Sequence, residues 1–181
     1  MRLISNTLVE QGVMPFVNTL SGGNVSPHLD WTPIPGVMIP DAKSFVMTCV
    51  DPDAPWGRSG LPGPGTFPAD LIVHWMVYDI PGSVRSLAAD ASRNGLPGRS
   101  TRQLRNSCRH LVGTPFHGHQ VGYFGSAPPQ GDRAHRYIFT VYALGTPELG
   151  LSSDADYPDL LRAMQGYVLD VAQLTVYFGQ R

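Results

Sequence analysis

The chain has 181 residues, 42% of them hydrophobic and 15% charged, enough to bury one sizeable core and consistent with a single domain over 1–181. Its 13 basic and 14 acidic residues leave a formal charge of -1, which excludes the broad basic field that nucleic acid or an anionic membrane surface requires, so any anion binding has to be local. Two cysteines, Cys49 and Cys108, are too few for a disulfide scaffold and are not at metal-knuckle spacing, so two reduced, partly buried thiols are expected.

Along the chain, Met1 to Gln11 mixes polar with aliphatic residues and lacks the apolar core of a signal peptide. No later run reaches the ~18 apolar residues of a spanning helix, and a cytoplasmic protein without a membrane span is expected. Gly (20) and Pro (17) make about a fifth of the chain and punctuate its apolar runs, as in a fold of short strands and structured loops. Arg2 to Leu8, Ser44 to Val50, Ile72 to Ile80, Tyr137 to Leu144 and Leu174 to Phe178 are rich in β-branched or aromatic residues and are predicted as strands. Their weak alternation predicts strands covered on both faces. The stretches at about 56–69 and 83–120 read as long loops, the second with a helical turn near Leu87. The apolar Val37-Met38-Ile39 segment fits a core or a dimer contact. After Ser153 and Asp154, candidate caps, the residues Leu160, Leu161, Met164, Val168 and Val171 recur at helical intervals, and Gly166 divides them into two short helices. Strands first and helices last predict a mainly β protein, an antiparallel β-sandwich with short C-terminal helices.

Three segments place titratable residues beside rigid Pro and Gly at strand ends: Asp51 to Pro55 (DPDAP), His74-Trp75, and Gly122 to Tyr137. In a sandwich, neighbouring strand ends gather at one edge, so two imidazoles and a carboxylate can line one cavity. A histidine N–H donates to phosphate oxygens, and the ring charges near neutral pH when an acid supports it. Asp51 suits the task of orienting His135 or His74 rather than touching an anion directly. The Gly-rich turn before Pro128 and Pro129 is expected to aim backbone N–H groups at the same oxygens. Taken singly, each residue has a plainer explanation: Asp51 and Asp53 as turn residues, His74 as a satisfied core histidine, Arg136 as an ion-paired surface cation, Tyr137 as a core ring.

The strings DPDAP (Asp51 to Pro55), HWMVYDIP (His74 to Pro81) and GYFGSAPPQGDRAHRYIFTVYAL (Gly122 to Leu144) resemble, in order and spacing, the signatures of the phosphatidylethanolamine-binding proteins. Ser26 to Trp31 and Lys43-Ser44-Phe45 resemble segments of the bacterial Raf kinase inhibitor-like branch. The resemblance implies a two-sheet sandwich with a small anion pocket, accepting phosphate, phosphorylethanolamine or a phospholipid head group, in a protein that regulates kinases or proteases as a monomer or homodimer. Carried over by motif, the ligand-binding residues are Asp51, Pro55, His74, Gly125, Ala127, Pro129, His135 and Tyr137. Ala127 stands where the family often has Gly or Cys. Tyr177 reads as core or as a residue that closes the pocket. No catalytic constellation stands out, so a non-catalytic protein with no cofactor and no metal is expected. The alternative is a metal-dependent enzyme using His74, His135 and Asp51, with His117-Gly118-His119 as a second metal candidate. No G-x-S-x-G elbow supports a serine hydrolase.

Overall fold

The computed structural model describes residues 1–34, 41–54, 71–110 and 117–180. A three-stranded sheet runs in the order β1 (Arg2–Ile4), β2 (Leu29–Thr32), β5 (Ser86–Leu87). A five-stranded sheet runs in the order β6 (Arg102–Gln103), β4 (Ile72–Pro81), β3 (Ser44–Asp51), β7 (His135–Leu144), β8 (Val168–Phe178). Every neighbouring pair in both sheets is antiparallel. Among the described residues two α-helices, α1 (Ala91–Asn94) and α2 (Tyr157–Met164), complete the mainly β architecture that the strand pattern predicts.

The central strands β3 and β4 of the larger sheet are covered on both faces, which explains their weak alternation. On the inner face Phe45, Met47, Cys49, Trp75, Val77, Phe139 and Leu174 pack against Leu3, Leu29, Trp31 and Leu87 of the small sheet. On the outer face Val46, Val73, Met76, Tyr78 and Leu144 pack against Leu160 and Met164 of α2. Burying each large side chain of this kind contributes about 1.5 to 3 kcal/mol, so the inner layer dominates the stability of the sheet.

The predicted strands form, with shifted ends. β1 stops at Ile4 because the Ser5 hydroxyl accepts the Thr7 and Leu8 N–H groups, a local turn that competes with the ladder. β7 begins two residues earlier than predicted, at His135. β2, β5 and β6 are two to four residues long and too short to show a period. Leu87 lies in a strand, and the helical turn expected near it is α1, four residues further on.

The C-terminal pattern holds one helix rather than two. α2 is capped by Asp156, not by Ser153 or Asp154: its side chain accepts the Asp159 N–H at 2.9 Å while the Asp159 carboxylate accepts the Asp156 N–H at 3.0 Å. Leu160 and Met164, one turn apart, are buried under the helix. Gly166, at φ 83°, then reverses the chain, and the residues from Val168 pair along β7 as a strand. Val168 and Val171, which continue the helical spacing, are each 42% exposed and face no core. Helical spacing was coincidental there, because the open edge of β7 supplies hydrogen-bond partners that an isolated two-turn helix lacks.

Both cysteines are free and buried; burial pushes Cys49 well above its ordinary value and Cys108 up to about 12, which leaves both as unreactive thiols. The loop at 56–69 and the Val37-Met38-Ile39 segment lie outside the described residues. Among the described residues, no helix is long and apolar enough to cross a membrane.

Candidate functional site

Antiparallel pairing of the three central strands brings the candidate residues to one end of the sheet. Asp51 closes β3, His74 is the third residue of β4, and His135 and Tyr137 are the first and third residues of β7. Asp51 pairs with Ile72 and Val50 with Ile138, so the end of β3 lies between the starts of β4 and β7. Alternation places Asp51, His135 and Tyr137 on the inner face with Cys49 and Phe139.

His74 reaches that face by a different route. Cys49 pairs with Trp75 but Val50 pairs with Val73, so His74 is an extra residue in a β-bulge. Strict alternation would set His74 and Trp75 on opposite faces. The bulge instead lets both face inward: the His74 ring meets the edge of Tyr137, with ring centres 5.1 Å apart, while Trp75 packs in the same inner cluster. The other face of the imidazole lies parallel to Phe124, also at 5.1 Å.

Asp51, His74, His135 and Tyr137 are each at most 2% exposed, so their polar atoms need partners inside the protein. The His135 Nδ1–H donates to Asp51 Oδ2 at 2.8 Å, and the other Asp51 oxygen accepts the Asp53 N–H at 2.8 Å. The carboxylate therefore fixes the imidazole while being fixed by its own turn. His74 Nδ1 lies 2.6 Å from the Phe124 carbonyl, which can only accept, so the proton sits on Nδ1. The Phe124 N–H returns a bond to the His74 carbonyl at 2.9 Å. His74 Nε2, in contrast, is buried with no hydrogen-bond partner among the described residues. Among the described residues the Tyr137 hydroxyl also has no well-formed hydrogen bond, although the Ala127 backbone amide acts on its oxygen.

Burial is the largest influence on His74 and holds its pKa below the ordinary 6.5; Asp51 and the Phe124 carbonyl oppose this and His135 reinforces it. The carboxylate and both imidazoles thus share one electrostatic environment. With Nδ1–H committed to a carbonyl, neutral His74 offers only a lone pair at Nε2, and it becomes a second donor only on gaining a proton. Tyr137 is raised far above its ordinary value, chiefly by burial, and remains a neutral phenol.

The other candidates are placed differently. The Gly125 N–H donates to Asn24 Oδ1 at 2.6 Å, the Phe124 N–H to His74 and the Tyr123 N–H to the Ser92 hydroxyl, so these three amides are not available to an anion as expected. Gly125 instead answers a packing need: a Cβ there would stand 2.5 Å from Leu20 N and 2.6 Å from the Thr19 carbonyl carbon. Ala127 is half-buried against the small Cys108 and Phe124 cluster. Half-buried Pro129 accepts the Asp132 N–H at 3.2 Å, closing a turn that carries Asp132. Pro55 lies outside the described residues. Tyr177 neither joins the core nor closes the site, because it is half-buried and its hydroxyl donates to Gln11 at the surface.

The sequence reads Arg136 as an ion-paired cation without naming its partner, and it leaves Asp132 unmarked. Asp53 accepts Arg136 Nε and Nη2 at 2.7 and 2.8 Å and Arg133 at 3.1 Å, pinning the DPD turn to the start of β7. The Arg136 guanidinium holds the Asp53 carboxyl down at about 2. The pairing of an acidic turn residue with the cation beside His135 is the signal that could have exposed it. Asp132, in the run Gly131-Asp132-Arg133, places Oδ2 3.4 Å from His135 Nε2. Among the described residues no group of three or more His, Cys, Asp or Glu is arranged to hold a metal ion. His119 contributes its carbonyl to the Asn106 side chain at 2.6 Å. A cavity of about 330 Å³, lined by Tyr142, Leu161, Met164 and Val168 among others, shares no residue with the imidazole site.

Comparison with known proteins gives concordant matches. The family model described as phosphatidylethanolamine-binding protein matches residues 4–179. A UPF0098 protein of Methanothermobacter thermautotrophicus is 34% identical over 96% of this chain and 95% of its own length. The Escherichia coli protein YbhB is 34% identical over 86% of this chain and 85% of its own. The crystal structure of E. coli YbcL, described as a member of the mammalian PEBP family, superposes with a TM-score of 0.78 at 28% identity, covering 99% of this chain and 98% of that one. A homologue from Chlamydia trachomatis gives a TM-score of 0.74 at 27% identity, covering 99% and 97%.

Proposed function

Because the chain belongs to the phosphatidylethanolamine-binding protein family, we propose that it is a non-catalytic binding protein whose His74 and His135 accept a small oxyanion, either phosphate or the phosphate of a phospholipid head group such as phosphorylethanolamine. The observation that carries this reading is the buried Nε2 of His74, without a partner among the described residues, beside an imidazole that Asp51 already orients. A buried polar atom left without a partner costs about 1 to 3 kcal/mol, and an anion oxygen would relieve that cost once the ring is protonated.

In this scheme His135 donates through Nε2 while Asp51 balances its charge from the opposite nitrogen. His74 takes up a proton as the anion arrives and becomes the second donor. Tyr137 and Phe124 wall the site and keep the dielectric low, which strengthens each charge-assisted bond. The whole chain acts as one cytoplasmic domain, and the bound anion is the contact through which a kinase or protease partner is recruited or released. Calorimetric titration with phosphate and with phosphorylethanolamine tests the binding: saturable binding to the wild type supports it, and heats no larger than dilution for both ligands contradict it.

A further inference from the structure

We propose that Asp132 is an internal competitor for the anion site, a tethered carboxylate that stands at the His135 Nε2 donor and has to withdraw before an external anion binds there. This deepens the binding-site reading above and rests on it. His135 lies between two carboxylates held very differently. Asp51 is 2.8 Å from Nδ1 and as buried as the ring; Asp132 is 3.4 Å from Nε2, with a side chain 35% exposed. Charge-assisted N–H···O bonds are about 2.7 to 2.9 Å long, so the first contact is a firm bond and the second a loose one.

The turn that carries Asp132 is anchored on both sides, which confines the motion to the side chain. The Asp132 N–H reaches the Pro129 carbonyl and Gly131 takes φ 80°, the positive value that the third residue of such a turn requires. The Gly131 N–H bonds the Gln180 carbonyl at 3.1 Å, the Gln180 side chain bonds the Pro128 carbonyl at 2.8 Å, and Arg133 reaches Asp53 at 3.1 Å. Asp132 Oδ1 accepts the Arg133 N–H at 2.8 Å, leaving Oδ2 as the part that meets His135. That N–H, with His135 second, holds the Asp132 carboxyl below its usual range, so it is charged at neutral pH. An unprotonated anion and a carboxylate cannot share one donor without repulsion, and two unit charges about 4 Å apart change an affinity about five-fold even in water.

Sulfate is the probe, because it carries no titrating proton near neutral pH. It is titrated by calorimetry into the wild type, Asp132→Asn, the double variant Asp132→Asn/His135→Gln, and Glu148→Gln, which neutralises an exposed acid on another loop. Asparagine keeps an oxygen for the Arg133 N–H, so the turn is retained. The expected result is at least about five-fold tighter sulfate binding in Asp132→Asn, little change in Glu148→Gln, and loss of the gain in the double variant. Equal or weaker binding in Asp132→Asn, with wild-type binding intact, overturns the competitor role and leaves the site standing. Equal gains in both single variants also overturn it. Absence of sulfate binding in every variant overturns the competitor and the anion site together.

Discussion

The Asp51 carboxylate accepts the His135 Nδ1–H at 2.8 Å, and both side chains are almost completely sealed from solvent. A bond of this kind sets the tautomer of the ring and fixes its orientation. Asp51→Asn removes the charge but keeps an oxygen for the Asp53 N–H. Sulfate affinity is expected to fall by about 1 to 2 kcal/mol, read by calorimetry, with the fold intact by circular dichroism. An affinity equal to wild type would mean that the carboxylate serves the turn alone.

His74 gives a stability signature of its own. Its folded pKa lies below 6.5, chiefly through burial. Well above pH 6.5 neither the folded nor the unfolded chain holds this proton and the full stability is present. As pH falls through about 6.5 the unfolded chain binds it first, and stability declines until the folded pKa is passed. His74→Gln is therefore expected to flatten the urea midpoint between about pH 7 and pH 5. An unchanged slope would place the titration elsewhere.

Much of this site was legible before the fold was known, and the missing parts have physical causes. Asp51 and His135 sit at the ends of strongly apolar runs, so their convergence follows from antiparallel pairing. The inward turn of His74 depends on a bulge, and a bulge is a mismatch between two strands that neither strand shows alone. Three amides of the Gly-rich turn are committed for a related reason: Tyr123, Phe124 and Gly125 donate to Ser92, His74 and Asn24, all of them remote in sequence. In the C-terminal part, Val168 and Val171 keep a helical interval, yet Gly166 and the edge of β7 decide for a strand.

The Asp53 to Arg136 pair predicts an acid-sensitive contribution. A carboxyl brought from 3.8 to about 2 adds stability that is present above about pH 4 and is lost as pH falls through about 2. Arg136 is 46% exposed, so solvent screens the pair and about 1 kcal/mol is expected rather than the full shift. Asp53→Asn should lower stability at pH 7 by that amount and make the acid limb shallower. Identical acid unfolding curves would count against it.

Gly125→Ala tests the packing role of the Gly-rich turn. The new methyl would meet Leu20 N, the Thr19 carbonyl carbon and the Asn18 carbonyl oxygen at 2.5, 2.6 and 2.8 Å, all backbone atoms that cannot rotate away. A destabilisation of about 1 to 3 kcal/mol is expected from chemical denaturation. A change under about 0.5 kcal/mol would show that the neighbouring segment moves freely.

The most direct test is a sulfate titration of the wild type, His74→Ala and His135→Ala by calorimetry at two pH values, about 6 and about 8. Saturable binding that strengthens at the lower pH and weakens by about 1 to 3 kcal/mol in each variant is expected. Wild-type affinity in either folded variant, or an affinity flat with pH, would contradict the assignment of the two buried imidazoles as the anion site.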